Sequence, residues 1–326
     1  MADYKSIKGF KVQSLASDPT GPEGQVWYNT ASAALKYNTL VTAWTTVNSM
    51  NTTRDELGGA GSATAAVVYG GAPGDGVFGN STETYDGTSW STAANLLNAS
   101  AGVKGVGTST AALRIGGYGG PTGSYQDWTE EWDGTSWTAG GALGGARGSC
   151  AVFGILTAAV ASGGYSPGYT SQTEGYNGST WSSETAYPTP FAAAGGAGTA
   201  TAGIVMGGGP GSKTATNTYD GEAWTAGGSL TTGRSSGVAS GATTPVAQYS
   251  GGATTVNVTV TEQYDGTSWA EVADMNTVRD EGATNISQGT QTATFFAGGH
   301  PPSPGTRTNA TEEFAPGMSA KTVTVS

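Results

Sequence analysis

Thr82-Glu83-Thr84-Tyr85-Asp86-Gly87-Thr88-Ser89-Trp90 carries the fold of this chain in miniature. A short run of β-prone residues meets an Asp-Gly pair, a strong short-range signal for a tight hairpin turn, and a tryptophan follows on the returning strand. The same phrase comes back as Thr261-Glu262-Gln263-Tyr264-Asp265-Gly266-Thr267-Ser268-Trp269, and Asp133-Gly134, Asn177-Gly178 and Asp220-Gly221 mark three more copies. In all of them five residues separate the aromatic from the tryptophan: 85 to 90, 132 to 137, 176 to 181, 219 to 224 and 264 to 269. A fixed hairpin register explains the constancy.

Upstream of each hairpin stands a glycine pair: Gly70-Gly71, Gly116-Gly117, Gly163-Gly164, Gly207-Gly208, Gly251-Gly252 and Gly298-Gly299, in steps of 46, 47, 44, 44 and 47 residues. Trp44, Trp90, Trp137, Trp181, Trp224 and Trp269 keep the same beat, in steps of 46, 47, 44, 43 and 45. The residues before each pair are small and apolar, as in Ala65-Ala66-Val67-Val68-Tyr69, which suits a strand covered on both faces. The glycines then end that strand where no Cβ fits or where φ must be positive. A further run rich in Gly, Ala and Ser precedes it, such as Leu57 to Gly61 or Gly233 to Ser240, so each unit supplies four short strands.

Four strands in every unit of 43 to 47 residues, with glycine and aromatic signatures, predict an all-β protein built as a six-bladed β-propeller. The ends argue against an open solenoid. Trp44 has no glycine pair before it, while Gly298-Gly299 is followed by Thr311-Glu312-Glu313-Phe314 and by no tryptophan. The strand around Trp44 then completes the blade begun near Gly282; Thr322-Val323-Thr324-Val325 is an alternative or additional closing strand. The expected domains are residues 1–40, a short N-terminal segment, and 41–326, the propeller with its C-terminal strand.

These units resemble kelch repeats, whose marks are a double glycine after the second strand and a spaced Tyr and Trp beyond it. All six units carry the double glycine; the aromatic is Tyr in four units, Trp132 in the second and Phe314 in the last, and the resemblance runs from about Trp44 to Gly317. The low charge and the Tyr-Asp-Gly-Thr-Ser-Trp hairpins also look like kelch-type propellers of tailed-phage virions. Asp18-Pro19-Thr20-Gly21-Pro22-Glu23-Gly24-Gln25-Val26-Trp27-Tyr28-Asn29-Thr30, followed by Leu35-Lys36-Tyr37-Asn38, is similar to a short attachment module near the N-termini of phage fibre and tail-associated proteins. The resemblance implies a virion surface protein made in the host cytoplasm.

Composition narrows the functions. Glycine supplies 55 of 326 residues, against a usual ~7%. Basic residues number 13 and acidic ones 24, and a net charge of −11 repels phosphate backbones and anionic lipid headgroups, so neither nucleic acid nor a membrane surface is an expected partner. No stretch approaches the ~20 apolar residues of a membrane helix, and Met1 to Phe10 has no signal-peptide pattern. The one cysteine, Cys150, sits among Ala151, Val152 and Phe153 and reads as a buried thiol.

Catalytic chemistry finds little to stand on. Enzymes among the kelch propellers, the copper-radical oxidases, need two histidine ligands, and this chain has one histidine, His300, in a proline-rich loop that reads as exposed. No zinc or calcium spacing occurs, so no metal and no cofactor is expected. Arg54, Arg147, Arg234 and Arg279 precede their glycine pairs by 16, 16, 17 and 19 residues, and Glu83, Glu130, Glu174, Glu262 and Glu312 hold one strand position. The fourth unit lacks both, with Phe191 and Asn217 in their places, which points to buried Arg–Glu pairs. The second has Ser100 for the arginine yet keeps Glu130.

The variable loop between second and third strands carries Phe78, Tyr118, Tyr125, Tyr165, Tyr169 and His300. Aromatic plates among Gly, Ser, Pro and Asn suit sugar rings or a protein partner. The expected function is that of a non-enzymatic tail or fibre-associated adhesin, which binds a host surface glycan or protein through these loops and other virion proteins through the N-terminal segment, alone or as a homo-oligomer. A structural adaptor of the virion is the second reading, and a glycan hydrolase working through two carboxylates the third.

Overall fold

The computed structural model describes residues 12–20, 24–120, 123–243, 246–283, 290–303 and 305–323. Met1 to Phe10, on which the absence of a signal peptide was argued, lies outside them, as do Thr324 and Val325 of the C-terminal run. The chain divides into two compact units, one of Trp44–Phe314 and one of Met1–Ala43 with Ala315–Ser326.

In the larger unit the repeats fold as the periodicity requires. The first sheet is Gly58–Ser62, Ala65–Tyr69, Thr82–Tyr85 and Trp90–Ala93, antiparallel and in chain order. Among the described residues four more four-stranded sheets repeat that plan, beginning at Lys104, Ala151, Gly195 and Val238. This is the sheet arrangement of a β-propeller. Across each hairpin the aromatic and the tryptophan pair directly, as in Tyr85 with Trp90 and Tyr264 with Trp269. The turn itself is a four-residue loop: Gly87 has φ +89° but Asp86 does not share the positive φ that a two-residue type I′ turn demands. The Asp86 carboxylate accepts the amides of Thr88 (2.8 Å) and Ser89 (2.7 Å) and closes the loop.

The second strands are buried beyond their first residue: Ala66, Val67, Val68 and Tyr69 are each 0% exposed. Tyr69 reaches into the following sheet, where its hydroxyl donates to Leu113 O at 3.2 Å. The facing residue, Gly105, has to lack a side chain, because a Cβ there would lie 1.6 Å from the Tyr69 hydroxyl. Both glycines of every pair adopt positive φ, for example +65° and +91° at Gly70 and Gly71. This conformation aims the second amide at the next unit: Gly71 N donates to Ser100 O, Gly117 N to Arg147 O, Gly164 N to Phe191 O, Gly208 N to Arg234 O and Gly252 N to Arg279 O, at 2.8–3.1 Å. The tryptophans bind backwards, with Trp137 Nε1 on Thr82 Oγ1, Trp181 on Thr129 and Trp269 on Thr216 at 3.0–3.1 Å.

The recurrent arginines and glutamates pair inside their own units. Arg54–Glu83 is 3.0 Å, Arg147–Glu174 2.5 Å, Arg234–Glu262 3.2 Å and Arg279–Glu312 3.1 Å, with every partner buried. In the fourth unit Phe191 fills the arginine space against Tyr187, 4.4 Å between centroids, and Asn217 donates to the Tyr187 hydroxyl at 2.6 Å. The second unit resolves the Ser100 irregularity. There Arg114, on the neighbouring strand, supplies the guanidinium, bonds Ser100 Oγ and Trp128 O, and faces Glu130.

In the smaller unit Gln13–Leu15 runs parallel to Val26–Asn29, which forms a hairpin with the strand starting at Ala34. Asp18 ties this element together by accepting Trp27 Nε1 (3.3 Å), Asn29 Nδ2 (2.5 Å) and Lys36 Nζ (2.8 Å), and Trp27 is fully buried. The bond to Lys36, above all, holds the Asp18 carboxyl below its ordinary range. Residues 315–326 group here and not with the repeats, as the sequence boundaries had them, because Val323 N donates to Leu35 O at 2.8 Å and extends the pairing.

Candidate functional site

The site lies where second strands end and next units begin. The residue directly after each glycine pair bridges back, antiparallel, to the residue after the arginine position: Ala72 to Asp55, Tyr118 to Ala101, Tyr165 to Gly148, Gly209 to Ala192, Ala253 to Ser235 and His300 to Asp280. One register therefore places Tyr118, Tyr165 and His300 at equivalent points of one face. The next residue along the other arm, Glu56, Ser149, Ala193, Ser236 or Glu281, has φ between +52° and +58°, and Gly102 has +62°. Amides at these positions donate to one another in series, Ser149 to Gly102, Ala193 to Ser149, Ser236 to Ala193, Glu281 to Ser236 and Glu56 to Glu281, at 2.7–2.9 Å.

The predicted aromatics come together as one row. Phe78 meets Tyr118 edge-on at 5.4 Å, Tyr118 meets Tyr125 at 5.0 Å, Tyr125 meets Tyr165 at 5.6 Å and Tyr165 meets Tyr169 at 5.2 Å. Three successive units contribute, and edge-to-face and tilted contacts of this kind add roughly 0.5–1.5 kcal/mol each. A small sheet of Ser100–Ala101, Tyr118–Gly119 and Ser124–Tyr125 holds two of the rings. Tyr118 and Tyr169 stay 36% and 44% exposed, while Phe78, Tyr125 and Tyr165 are half-buried. His300 is not the ordinary exposed loop residue expected: it is half-buried with Nδ1 3.8 Å from Asp280 Oδ1.

At the Phe78 end the row borders an open cleft of about 610 Å³ that His300 and Tyr118 also line. Five acids line its remaining walls: Asp55, Glu56, Asp75, Asp280 and Glu281. Arg307 reaches in to Asp55 (3.1 Å) and Asp75 (2.7 Å), and Asn257 Nδ2 donates to Asp280 Oδ1 at 3.0 Å. Burial, reinforced by Asp280, Glu56 and Asp55, pushes the Glu281 carboxyl up to about 8. Burial, with a smaller push from Asp55, drives Asp280 up to about 6 against the pull of His300, and burial raises Glu56 and Asp55 as well. Lys104, behind Glu56 and Glu281, is lowered by burial. The Glu281 carboxyl therefore holds a proton at neutral pH that an incoming cation would displace.

None of these acids stood out in the sequence, although a signal was present. Arg54-Asp55-Glu56 and Arg279-Asp280-Glu281 are the same tripeptide, and the other four units carry none at that position. Cys150 is buried, with its thiol raised by burial, and stands apart from this chemistry. Among the described residues no group of three or more His, Cys, Asp or Glu is placed to hold a metal ion.

No family model and no curated protein matches the chain. Among solved structures it is similar to that of YjhT, a β-propeller-like fold, with a TM-score of 0.68 at 11% identity over 83% of this chain and 99% of that one. That likeness supports the propeller fold.

Proposed function

We propose that the chain is a kelch-like propeller of six blades, closed by the strand around Trp44, and that it works as a non-enzymatic adhesin of a tailed-phage virion. Two contacts that join the last unit to the first, and one that seats the Trp44 strand against the fifth, support six blades. Gly299 N donates to Arg54 O at 2.9 Å and Glu56 N to Glu281 O at 2.7 Å, which continue the two series of unit-to-unit bonds. Trp44 Nε1 donates to Thr261 Oγ1 at 3.0 Å, as Trp137, Trp181 and Trp269 do to Thr82, Thr129 and Thr216, and its ring meets Phe314 at 5.5 Å. Thr311–Thr322 lies between Ala34–Val47 and Thr294–Ala297 in one sheet. The virion setting rests on the resemblance of the repeats and of the Gly24-to-Thr30 module.

The observation that carries the adhesin reading is the row of five aromatic rings, partly exposed and contiguous across three units. A row of this kind presents flat apolar plates beside hydrogen-bonding groups, which is what a glycan chain requires. The test is capture of bacterial envelope material by the protein, compared with a variant in which Tyr118, Tyr125, Tyr165 and Tyr169 are all alanine. Loss of capture with an unchanged circular dichroism spectrum supports a receptor-binding face. Equal capture by both proteins refutes it, and retention of purified virion proteins instead of envelope turns the reading to an adaptor. Release of reducing sugar from the captured glycan would overturn the non-enzymatic part.

A further inference from the structure

The cleft beside the aromatic row has more carboxyl groups than its own side chains pair, Lys104 lying behind Glu56 and Glu281. Arg307 spans Asp55 and Asp75, and among the described residues the side chains of Glu56, Asp280 and Glu281 have no guanidinium or ammonium within 4.0 Å. Among the described residues Asp280 has Asn257 as its one side-chain hydrogen-bond donor, with His300 Nδ1 3.8 Å away. A second observation is independent of the acid cluster. Asp55 is 3% exposed, its Oδ2 faces Arg307 in the cleft, and its Oδ1 is buried without a hydrogen-bond partner. A buried carboxylate oxygen left unanswered is costly, and it marks a place where a donor is missing. The cleft also already accepts a cationic group, since the Arg307 guanidinium sits in it. Its aromatic wall, Phe78 against Tyr118, is the end of the row assigned above to glycan contact.

We propose that this cleft is a subsite for the ammonium group of an amino sugar with a free amine, seated among Asp55, Asp280 and Glu281 with its ring against Phe78 and Tyr118. The inference rests on the glycan-binding reading and narrows it to a substituent. An ammonium offers three donors and one compact charge, which suits carboxylates converging from two units better than a planar guanidinium does. The ring contact accounts for sugar in place of a simple amine, because a small cation alone would leave the aromatic wall unused.

The experiment is titration calorimetry of the full chain with a tetramer of β-1,4-linked glucosamine and with its fully N-acetylated, neutral counterpart, at one fixed ionic strength. The cationic tetramer should bind about tenfold more tightly or better, the scale of one charge-assisted hydrogen bond. Asp280→Asn and Glu281→Gln, made separately, should each erase most of that preference, whereas Glu222→Gln, an exposed acid far from the cleft in sequence, should leave it intact. Because both cleft substitutions keep the size and hydrogen-bonding capacity of the side chain, folding should survive; Asp75→Asn, at an exposed cleft acid, serves as a third variant and should weaken the preference by a smaller factor. Equal affinity for the two tetramers overturns the ammonium subsite while the glycan reading stands. So does a preference that survives Asp280→Asn and Glu281→Gln, which would make it a bulk charge effect. Binding of neither tetramer, with aromatic-dependent envelope capture retained, also overturns the subsite alone, and loss of that capture as well sinks both readings.

Discussion

Removing Glu262 tests how these blades carry buried charge. Arg234 and Glu262 are both fully buried, 3.2 Å apart. Glu262 also accepts the amides of Thr231 and Thr232 at 3.0 Å, and Arg234 donates to Gly251 O, Thr232 O and Tyr249 O while lying 4.6 Å over the Tyr249 ring. Glu262→Ala strands the guanidinium and two amides, so we expect a loss of roughly 3–5 kcal/mol, the usual cost of breaking a buried pair from one side. The fourth blade shows an uncharged solution at equivalent positions, Tyr187, Phe191 and Asn217. Its transplant into the fifth is Leu230→Tyr, Arg234→Phe and Glu262→Asn together. The triple variant should lose less than Glu262→Ala alone, within about 2 kcal/mol of the parent, because no charge remains unanswered. Equilibrium urea unfolding of the three proteins decides between them. A single variant costing under about 1 kcal/mol, or a triple variant less stable than the single one, would refute the reasoning.

Gly105→Ala should cost about 1–3 kcal/mol through the clash with Tyr69, and Tyr69→Leu in the same chain should recover part of that loss in a double-mutant cycle. Trp44→Ala should destabilise the propeller by about 3–5 kcal/mol, and Trp44→Phe, which keeps the ring but loses the bond to Thr261, by about 1 kcal/mol, both read as unfolding midpoints. Glu281 has its folded pKa raised from 4.5 to about 8, so its proton favours the folded state: its contribution is complete below about pH 4.5 and is lost as pH rises through 8. Melting temperature should therefore fall between pH 5 and 9, with Asp280 adding to the early part of the decline, and Glu281→Gln should flatten the curve; an unchanged slope in that variant would remove Glu281 as its cause.

Much of the fold was legible because it repeats. The hairpin register, the glycine pairs and the Arg–Glu partnership each appear several times, so one odd copy could be judged against the rest. The failures are instructive in the same terms. Ser100 looked unpaired because its arginine had moved to residue 114, a neighbour across the sheet but not at the repeat position. His300 was judged by its proline-rich neighbours, whereas its partner, Asp280, comes from a different arm of the unit.

The sequence by itself determined the period, the strand content, the pairing of aromatic with tryptophan and the aromatic loops as candidates, since all of these depend on residues within one repeat of some 45 positions. Only the tertiary structure decided that Phe78, Tyr118, Tyr125, Tyr165 and Tyr169 touch, and that Asp55-Glu56 and Asp280-Glu281 meet although 225 residues separate Glu56 from Glu281. The physical reason is that a repeat dictates its own hydrogen bonds, while the meeting of first and last units depends on the angle added at every sheet-to-sheet contact. That angle is set by packing, such as Tyr69 over Gly105, and leaves no local mark on the residues it brings together.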